Sequence, residues 1–359
     1  MNKYKICVYA ICKNEEKFVE RWVSSMKEAD EIVVLDTGST DNTVEKLKNL
    51  GVKVETKIIN PWRFDIARNE SIKLIPTDTD ICVCTDLDEV LEKGWRKELE
   101  KVWKSDTNRC KYKYAWSINS DGSDGVVFLY DKIHSYGNYE WVYPVHEILK
   151  PIQNINENVV VNENIKLKHY PDSCKSRGQY LPLLELSHKE NPLDDRINHY
   201  LGREYYFHGE YEKAIKTLLK HLALPTAVWN EERSASYRYI ANSYNYLNNF
   251  EEAEKYFKLS FLECTSVREP LFELGKFYFK RKEYLNSLVA FESMLNIKNR
   301  QLTYISDPDC WGSEPYDYLS ICYYYLNNKQ KAIENCKKAL NLNKNNERLI
   351  NNLDFFINN

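Results

Sequence analysis

The 359-residue chain has no apolar run near the roughly 18 residues needed to cross a bilayer. Glycine and proline are scarce, at 11 each, which excludes collagen-like and low-complexity chains. Charge of one sign is also missing. The 50 Lys and Arg against 53 Asp and Glu leave a formal charge of -3, so no overall field draws the chain to nucleic acid or anionic membrane. The opening MNKYKICVYAICKNEE carries a short apolar patch but no small-residue cleavage site. The expectation is a cytoplasmic protein with no integral membrane segment and no nucleic-acid partner. Cysteine is present ten times, but the only close pair is Cys82-x-Cys84. That spacing suits two neighbours on one face of a strand and not a zinc finger, so buried, reduced thiols are expected.

What remains is an ordinary globular composition, 43% hydrophobic and 29% charged, with an excess of 27 tyrosines concentrated in the second half. The length exceeds what one hydrophobic core supports, so two blocks are expected. The first reads as α/β. Short apolar runs at 5–11, 31–36, 52–59 and 80–85 alternate with helical patterns at 15–26 and 42–50, the latter closed by Gly51. Strand, helix, strand implies parallel pairing, and ligands of such sheets gather at the carboxyl ends of the strands.

From about Ser176 the pattern becomes helical and repeats. Tyr200-Leu-Gly202…Tyr205…Tyr211-x-x-Ala214 matches Tyr239-Ile-Ala241…Tyr244…Phe250-x-x-Ala253. It also matches Phe272…Gly275…Tyr278…Tyr284-x-x-Ser287 and Tyr318-Leu-Ser320…Tyr323…Lys329-x-x-Ala332. The last small residue recurs at intervals of 39, 34 and 45, and the middle one equals the tetratricopeptide period of about 34. The second block is therefore expected to be an all-α tetratricopeptide-like solenoid over about 194–345, in which most tyrosines fill helix crossings. The expected division is 1–175, a connecting helix at 176–193, and 194–359. Residues 341–359, with Leu342, Leu349, Leu353 and Phe356 on one face, are expected to cap the array.

The sharpest chemical signal is Thr85-Asp86-Leu87-Asp88-Glu89-Val90, directly after the apolar run ICVC. Three acids at a strand end need compensation. A divalent cation held by Asp86 and Asp88 supplies it in one reading; in the other the acids form a turn that caps the next helix. A second signal is Asp36-Thr-Gly-Ser-Thr-Asp-Asn-Thr43, where Ser39, Thr40 or Asp41 can cap a helix and Asp36 stands before the cap, open to a ligand. A third is Phe64-Asp-Ile-Ala-Arg68-Asn69-Glu70, in which Arg68 is either a fixed cation near the acids or half of a surface ion pair. His134 and His199 read as singletons that satisfy local hydrogen bonds.

In this order and at strand ends, Cys12-Lys-Asn14-Glu15-Glu16 and the DTGSTDNT, ARN and DLDE segments resemble the family-2 glycosyltransferases of GT-A fold, over about residues 5–175. Trp141-Val-Tyr-Pro-Val145-His146-Glu147 is similar to a segment of one subgroup, although the family often has Asp where this chain has Glu147. Lys168-His169-Tyr170-Pro171 looks like the late metal-binding histidine of GT-A enzymes. With repeats following, the arrangement resembles the sublancin-type peptide S-glycosyltransferases and their relatives.

The resemblance implies inverting transfer from a UDP-sugar with Mn²⁺ or Mg²⁺. Asp36, Glu15 and the backbone at Ala10 and Ile11 would hold the nucleotide, with Arg68 beside it. Asp88, with Asp86, and His169 would hold the metal; Glu147, or alternatively His146, would be the base. Lys175 and Arg177 either lie over the phosphates or form a solvated loop. Three functions follow. In the first, a protein or peptide acceptor is held by the repeats. In the second, the acceptor is a surface polysaccharide or lipid-linked glycan and the repeats serve as a homodimer interface. In the third, the chain is a non-catalytic UDP-sugar-binding scaffold.

Overall fold

A computed structural model describes residues 3–119, 121–172 and 178–358. The chain divides into two compact units, Met1–Ser187 and His188–Asn359.

The first unit contains strands β1 (Ile6–Cys12), β2 (Glu31–Asp36), β3 (Lys53–Thr56), β4 (Ile81–Cys84), β5 (Glu89–Leu91), β6 (Arg109–Ala115), β7 (Val127–Ser135), β8 (Tyr139–Val142), β9 (Ile148–Pro151) and β10 (Val159–His169). Its helices are α1 (Val19–Met26), α2 (Thr43–Asn49), α3 (Phe64–Ile72) and α4 (Trp95–Val102). Among the described residues, eight strands form one mixed sheet in the order β3-β2-β1-β4-β7-β6-β10-β5, and β8 pairs with β9 as a separate hairpin. The segment β3-β2-β1-β4 is parallel, while β7 runs antiparallel to both β4 and β6.

All seven residues of β1 are buried, as befits a central strand covered on both faces. On one face Ile6, Val8 and Ala10 pack with Trp22, Val23 and Met26 of α1. On the other, Cys7, Tyr9 and Ile11 pack with Ala67 of α3 and Trp141 of β8. The nine described cysteines are all buried and unpaired, consistent with their role as small apolar residues.

Two elements are shorter than the sequence pattern implies. β3 stops at Thr56, because it is the sheet edge and its exposed residues have no second partner to extend against. The helix expected from residue 15 begins at Val19. Asn14 adopts a left-handed φ of 55°, and the Glu15 and Glu16 amides donate to Thr43 Oγ1 and Asp41 Oδ2 at 2.8 and 3.3 Å instead of entering the helix. The α2 stop is as the pattern implies, with Gly51 at φ 83°.

Helix α5 (Tyr180–Glu190) spans the division between the units. In the second unit α6 (Asp195–Phe207) pairs with α7 (Tyr211–Ala223), and α8 (Asn230–Tyr246) with α9 (Phe250–Glu263). Likewise α10 (Glu269–Lys280) pairs with α11 (Tyr284–Leu295), and α12 (Glu314–Tyr325) with α13 (Lys329–Leu342). Each hairpin turns through a left-handed residue, respectively Gly209, Asn248, Lys282 and Asn327. Ala214, Ala253, Ser287 and Ala332 are all 0% exposed at the helix crossings, where only a small side chain lets two backbones approach. Tyr205, Tyr278 and Tyr323 are buried behind them. The long insertion before α12 contains a 3₁₀ turn, Pro308–Trp311, whose Trp311 ring lies 3.7 Å from the Arg268 guanidinium.

The final helix, α14 (Glu347–Asn358), buries Leu349 and Phe356, with Leu353 packed on the same cluster. Leu342 was expected on that face but is 57% exposed, because it belongs to the last turn of α13 and points away from the joint.

A Cβ at Gly202 would sit 2.5 Å from the Leu218 side chain and 3.3 Å from its backbone nitrogen. Gly202→Val should therefore destabilise the helical unit by about 1–3 kcal/mol. Calorimetry of the full chain should show a lowered transition for this unit alone; an unchanged midpoint would refute the packing described.

Candidate active site

The DLDE segment forms a tight turn between β4 and β5, not a helix cap. Glu89 N–H donates to the Asp86 carbonyl at 3.0 Å, and Asp86 N–H donates to Glu89 Oε2 at 2.8 Å. The turn is anchored by Thr85, whose hydroxyl accepts from Trp22 Nε1 at 3.0 Å. Its charge is compensated by two distant cations. Arg68 donates to Asp86 Oδ1 at 2.9 Å, and Lys132 of β7 lies 3.2 Å from Asp86 Oδ2 and 3.9 Å from Glu89 Oε1. Burial opposes charge on Asp86, but Arg68 and then Lys132 outweigh it and hold the carboxyl well below the usual range. Burial likewise opposes the Lys132 ammonium, which Asp86 and Glu89 hold well above its ordinary value. For Glu89 burial prevails against Lys132 and raises the carboxyl.

Arg68 is therefore no surface pair. It is 3% exposed, and its guanidinium also reaches Glu147 Oε1 at 2.5 Å, Cys84 Sγ at 3.3 Å and the Trp141 ring at 5.1 Å. The ARN segment explains how. Ala67 is small enough to lie against the sheet, and Arg68 points inward. Asn69 clamps the β8 hairpin by accepting from Trp141 N–H and donating to its carbonyl, both at 2.8 Å.

Residues 143–147 form the loop between β8 and β9 and not a continuous strand. Tyr143 and His146 have φ of 81° and 52°, so the alternation of a strand does not apply there. Glu147 turns to Arg68, whereas His146 packs edge-on to Tyr180 at 5.7 Å. The Pro144 carbonyl accepts from Phe64 N–H at 3.0 Å, which fixes the loop to the start of α3.

Asp88 and His169 meet on adjacent chain segments: β5 and β10 pair antiparallel, and Tyr170 N–H donates to the Asp88 carbonyl at 2.8 Å. His169 Nδ1 lies 2.9 Å from the Trp116 carbonyl, and Nε2 lies 3.4 Å from Asp88 Oδ2. Burial lowers the imidazole, but the Asp88 contact raises it by more. This geometry suits a divalent cation, because one ring nitrogen is fixed by a carbonyl and the other faces a carboxylate. The Asp86, Asp88 and His169 ligand atoms do not converge within 4.8 Å of one another. Asp86 is already bound by Arg68 and Lys132, whereas Asp88 and His169 face each other without either cation.

Near the carboxyl end of β1 the ladder with β4 ends at Tyr9, leaving Ala10 and Ile11 beyond it on that side. Asp36 is 1% exposed, and its carboxylate accepts from the Gly38 and Ser39 amides at 3.2 and 3.1 Å. Asp41 supplies the helix-start contact, accepting from Thr43 N–H at 3.0 Å. Glu15 is buried with its amide on Thr43, and Asn14 binds Ser39 and Thr40, so the two loops brace each other. Lys175 and Arg177 lie outside the described residues. His134 bonds Tyr9 OH and the Ser135 carbonyl, at 2.8 and 2.9 Å, and burial lowers it to about 4.

Lys132 is the site residue that sequence reasoning missed. Its signal was a lysine inside the strand VFLYDKIHS, but its partners lie more than forty positions away.

Removing Arg68 should leave Glu147 without its cation and Asp86 with Lys132 alone. Arg68→Met is expected to cost about 3 kcal/mol, the low end for a broken buried pair because Asp86 stays a third exposed. Because Asp86 is held low, its contribution is present above about pH 4 and is lost as pH falls. In urea titrations from pH 2 to 7, Asp86→Asn should flatten the acid limb of stability; an unaltered limb refutes the ion cluster.

Residues 7–112 match the profile of the family Glycosyl transferase family 2, and residues 313–346 match Tetratricopeptide repeat. An uncharacterized glycosyltransferase of Rickettsia bellii (strain RML369-C) is 35% identical over 102 residues, 28% of this chain and 33% of that protein. The lipopolysaccharide core biosynthesis glycosyltransferase LpsC of Rhizobium meliloti (strain 1021) is 30% identical over 103 residues, 28% of this chain and 37% of that protein. The chain thus spans about a third of the length of the curated relatives it matches. Among solved structures, MamA is similar at 19% identity and a TM-score of 0.39, over 49% of this chain and 96% of that one. No helix among the described residues is long and apolar enough to cross a membrane. The first unit carries a family-2 glycosyltransferase domain, and the helical unit after it carries a tetratricopeptide repeat.

Proposed function

We propose that the first unit transfers a sugar from a UDP-sugar to an acceptor with inversion at the anomeric carbon. The supporting observation is the convergence at the strand ends: Glu147 held on Arg68, which also holds Asp86, with Asp88 facing His169 nearby. Glu147 acts as general base and takes the proton of the attacking acceptor group. Arg68 orients that carboxylate and prevents it from turning into the acidic turn. Asp88 and His169 would hold Mn²⁺ or Mg²⁺, which would supply Lewis-acid stabilisation to a departing diphosphate. Asp36 shapes the loop that receives the nucleotide, and the backbone of Ala10 and Ile11 borders it, as the family resemblance implies. Glu15 braces the same loop from the other side.

The repeats favour a protein or peptide acceptor, because stacked helical hairpins offer an extended surface for a chain. The name of the Rhizobium relative supports a second reading, a saccharide acceptor of the lipopolysaccharide type.

The full chain, incubated with a panel of nucleotide sugars and Mn²⁺, should hydrolyse or transfer from UDP-linked donors and stop when EDTA is added. Glu147→Gln should lower kcat by about 10²–10⁴ with the donor KM little changed. Equal loss of donor affinity would make Glu147 structural, and unaltered turnover would remove it from the mechanism.

A further inference from the structure

Away from the glycosyltransferase domain, three buried residues on successive helices of the second unit converge. His199 of α6 and His221 of α7 are each 0% exposed, and Glu232 of α8 is 4% exposed. One ligand atom from each lies within 4.8 Å of the others. We propose that His199, His221 and Glu232 form a binding site for a divalent transition-metal ion of the zinc class.

The reasoning begins with Ser236, one helical turn after Glu232. Its hydroxyl lies 2.7 Å from His199 Nδ1 and 2.9 Å from His221 Nδ1. A serine hydroxyl has one proton and can donate to only one of the two nitrogens. At least one ring is therefore the Nδ1–H tautomer, with its Nε2 lone pair directed away from Ser236. An oxygen that fixes Nδ1 and leaves Nε2 open is the outer partner of a metal-bound histidine.

His221 Nε2 is the second observation. It is buried without a hydrogen-bond partner among the described residues, and it faces Glu232 Oε1 at 3.5 Å. That distance is long for a hydrogen bond, and an unsatisfied buried nitrogen beside a buried carboxylate is unfavourable. An ion at about 2.0–2.1 Å from nitrogen and about 2.0–2.2 Å from oxygen, with tetrahedral angles, separates its ligands by roughly 3.3–3.5 Å. The observed gap is of that size.

Burial, then Arg203, His221 and other nearby arginines, hold the His199 imidazole well below its ordinary value. His199 Nε2 is 2.9 Å from Tyr304 OH; this hydroxyl or a water can complete four-coordination. Tyr304 also lines a small cleft with Glu231, Arg238, Glu269 and Trp311. Two nitrogens and one carboxylate suit zinc-class ions; magnesium and calcium require more oxygen ligands. The arginines repel a cation, so the Glu232 charge is indispensable to the site.

The function of such a site is to tie the first hairpin, α6 and α7, to α8. An ion bound only by the folded chain raises stability by linkage.

The test uses the full chain carrying Asp88→Asn, so that ions at the glycosyltransferase site do not contribute. After dialysis against excess Zn²⁺ and then metal-free buffer, elemental analysis should find one zinc per chain. Co²⁺ substitution should give the visible absorption of a four-coordinate site, and chelation should lower Tm. Glu232→Gln, nearly isosteric, should abolish zinc retention while leaving the circular dichroism unchanged. Ser236→Ala, which removes no ligand, should weaken zinc affinity about 10–100-fold. Less than a tenth of an equivalent of zinc in the parent chain overturns the proposal, whether or not the variants fold. Full zinc retention by folded Glu232→Gln overturns it as well.

Discussion

The buried guanidinium of Arg68 connects the parts of the first unit that carry chemistry. It is reached from a helix, α3, and its partners come from the turn after β4 and the loop after β8. Neither segment is held by sheet hydrogen bonds alone. The DLDE turn concentrates acids that would repel one another, and residues 143–147 pass through two left-handed residues. Opposite charge with little competing solvent makes such a contact much stronger than a surface pair, while each partner becomes costly to remove. Lys132 completes the balance from the other side, which is why the acidic turn can be buried without an ion between Asp86 and Glu89.

This balance divides the acidic motif between two tasks. Asp86 and Glu89 belong to the protein's own ion cluster, and Asp88 faces His169. A D-x-D pair therefore need not act through both carboxylates. One can hold the turn in shape while the other is left for a ligand. The same economy appears at Asp36, whose carboxylate organises the loop amides after β2.

Much of the fold was legible in the sequence because local pattern determines it. The apolar runs of β1, β2 and β4 and the small residues at 214, 253, 287 and 332 marked a sheet unit and a helical array. What could not be read was long-range or conformational. Lys132 joins Asp86 only because β7 inserts antiparallel between β4 and β6. Where the side chains of His146 and Glu147 turn depends on loop dihedrals that no strand alternation predicts. His199 read as a singleton because His221 and Glu232 reach it only through helix stacking.

The central claim is that Arg68 and Glu147 act as one unit in the first domain. A double-mutant cycle on turnover of the UDP-sugar, using Arg68→Lys, Glu147→Gln and the pair, addresses it most directly. The account predicts a coupling of about 1–3 kcal/mol, with the double variant little worse than the more damaged single one. Losses that add within about 0.5 kcal/mol would contradict it.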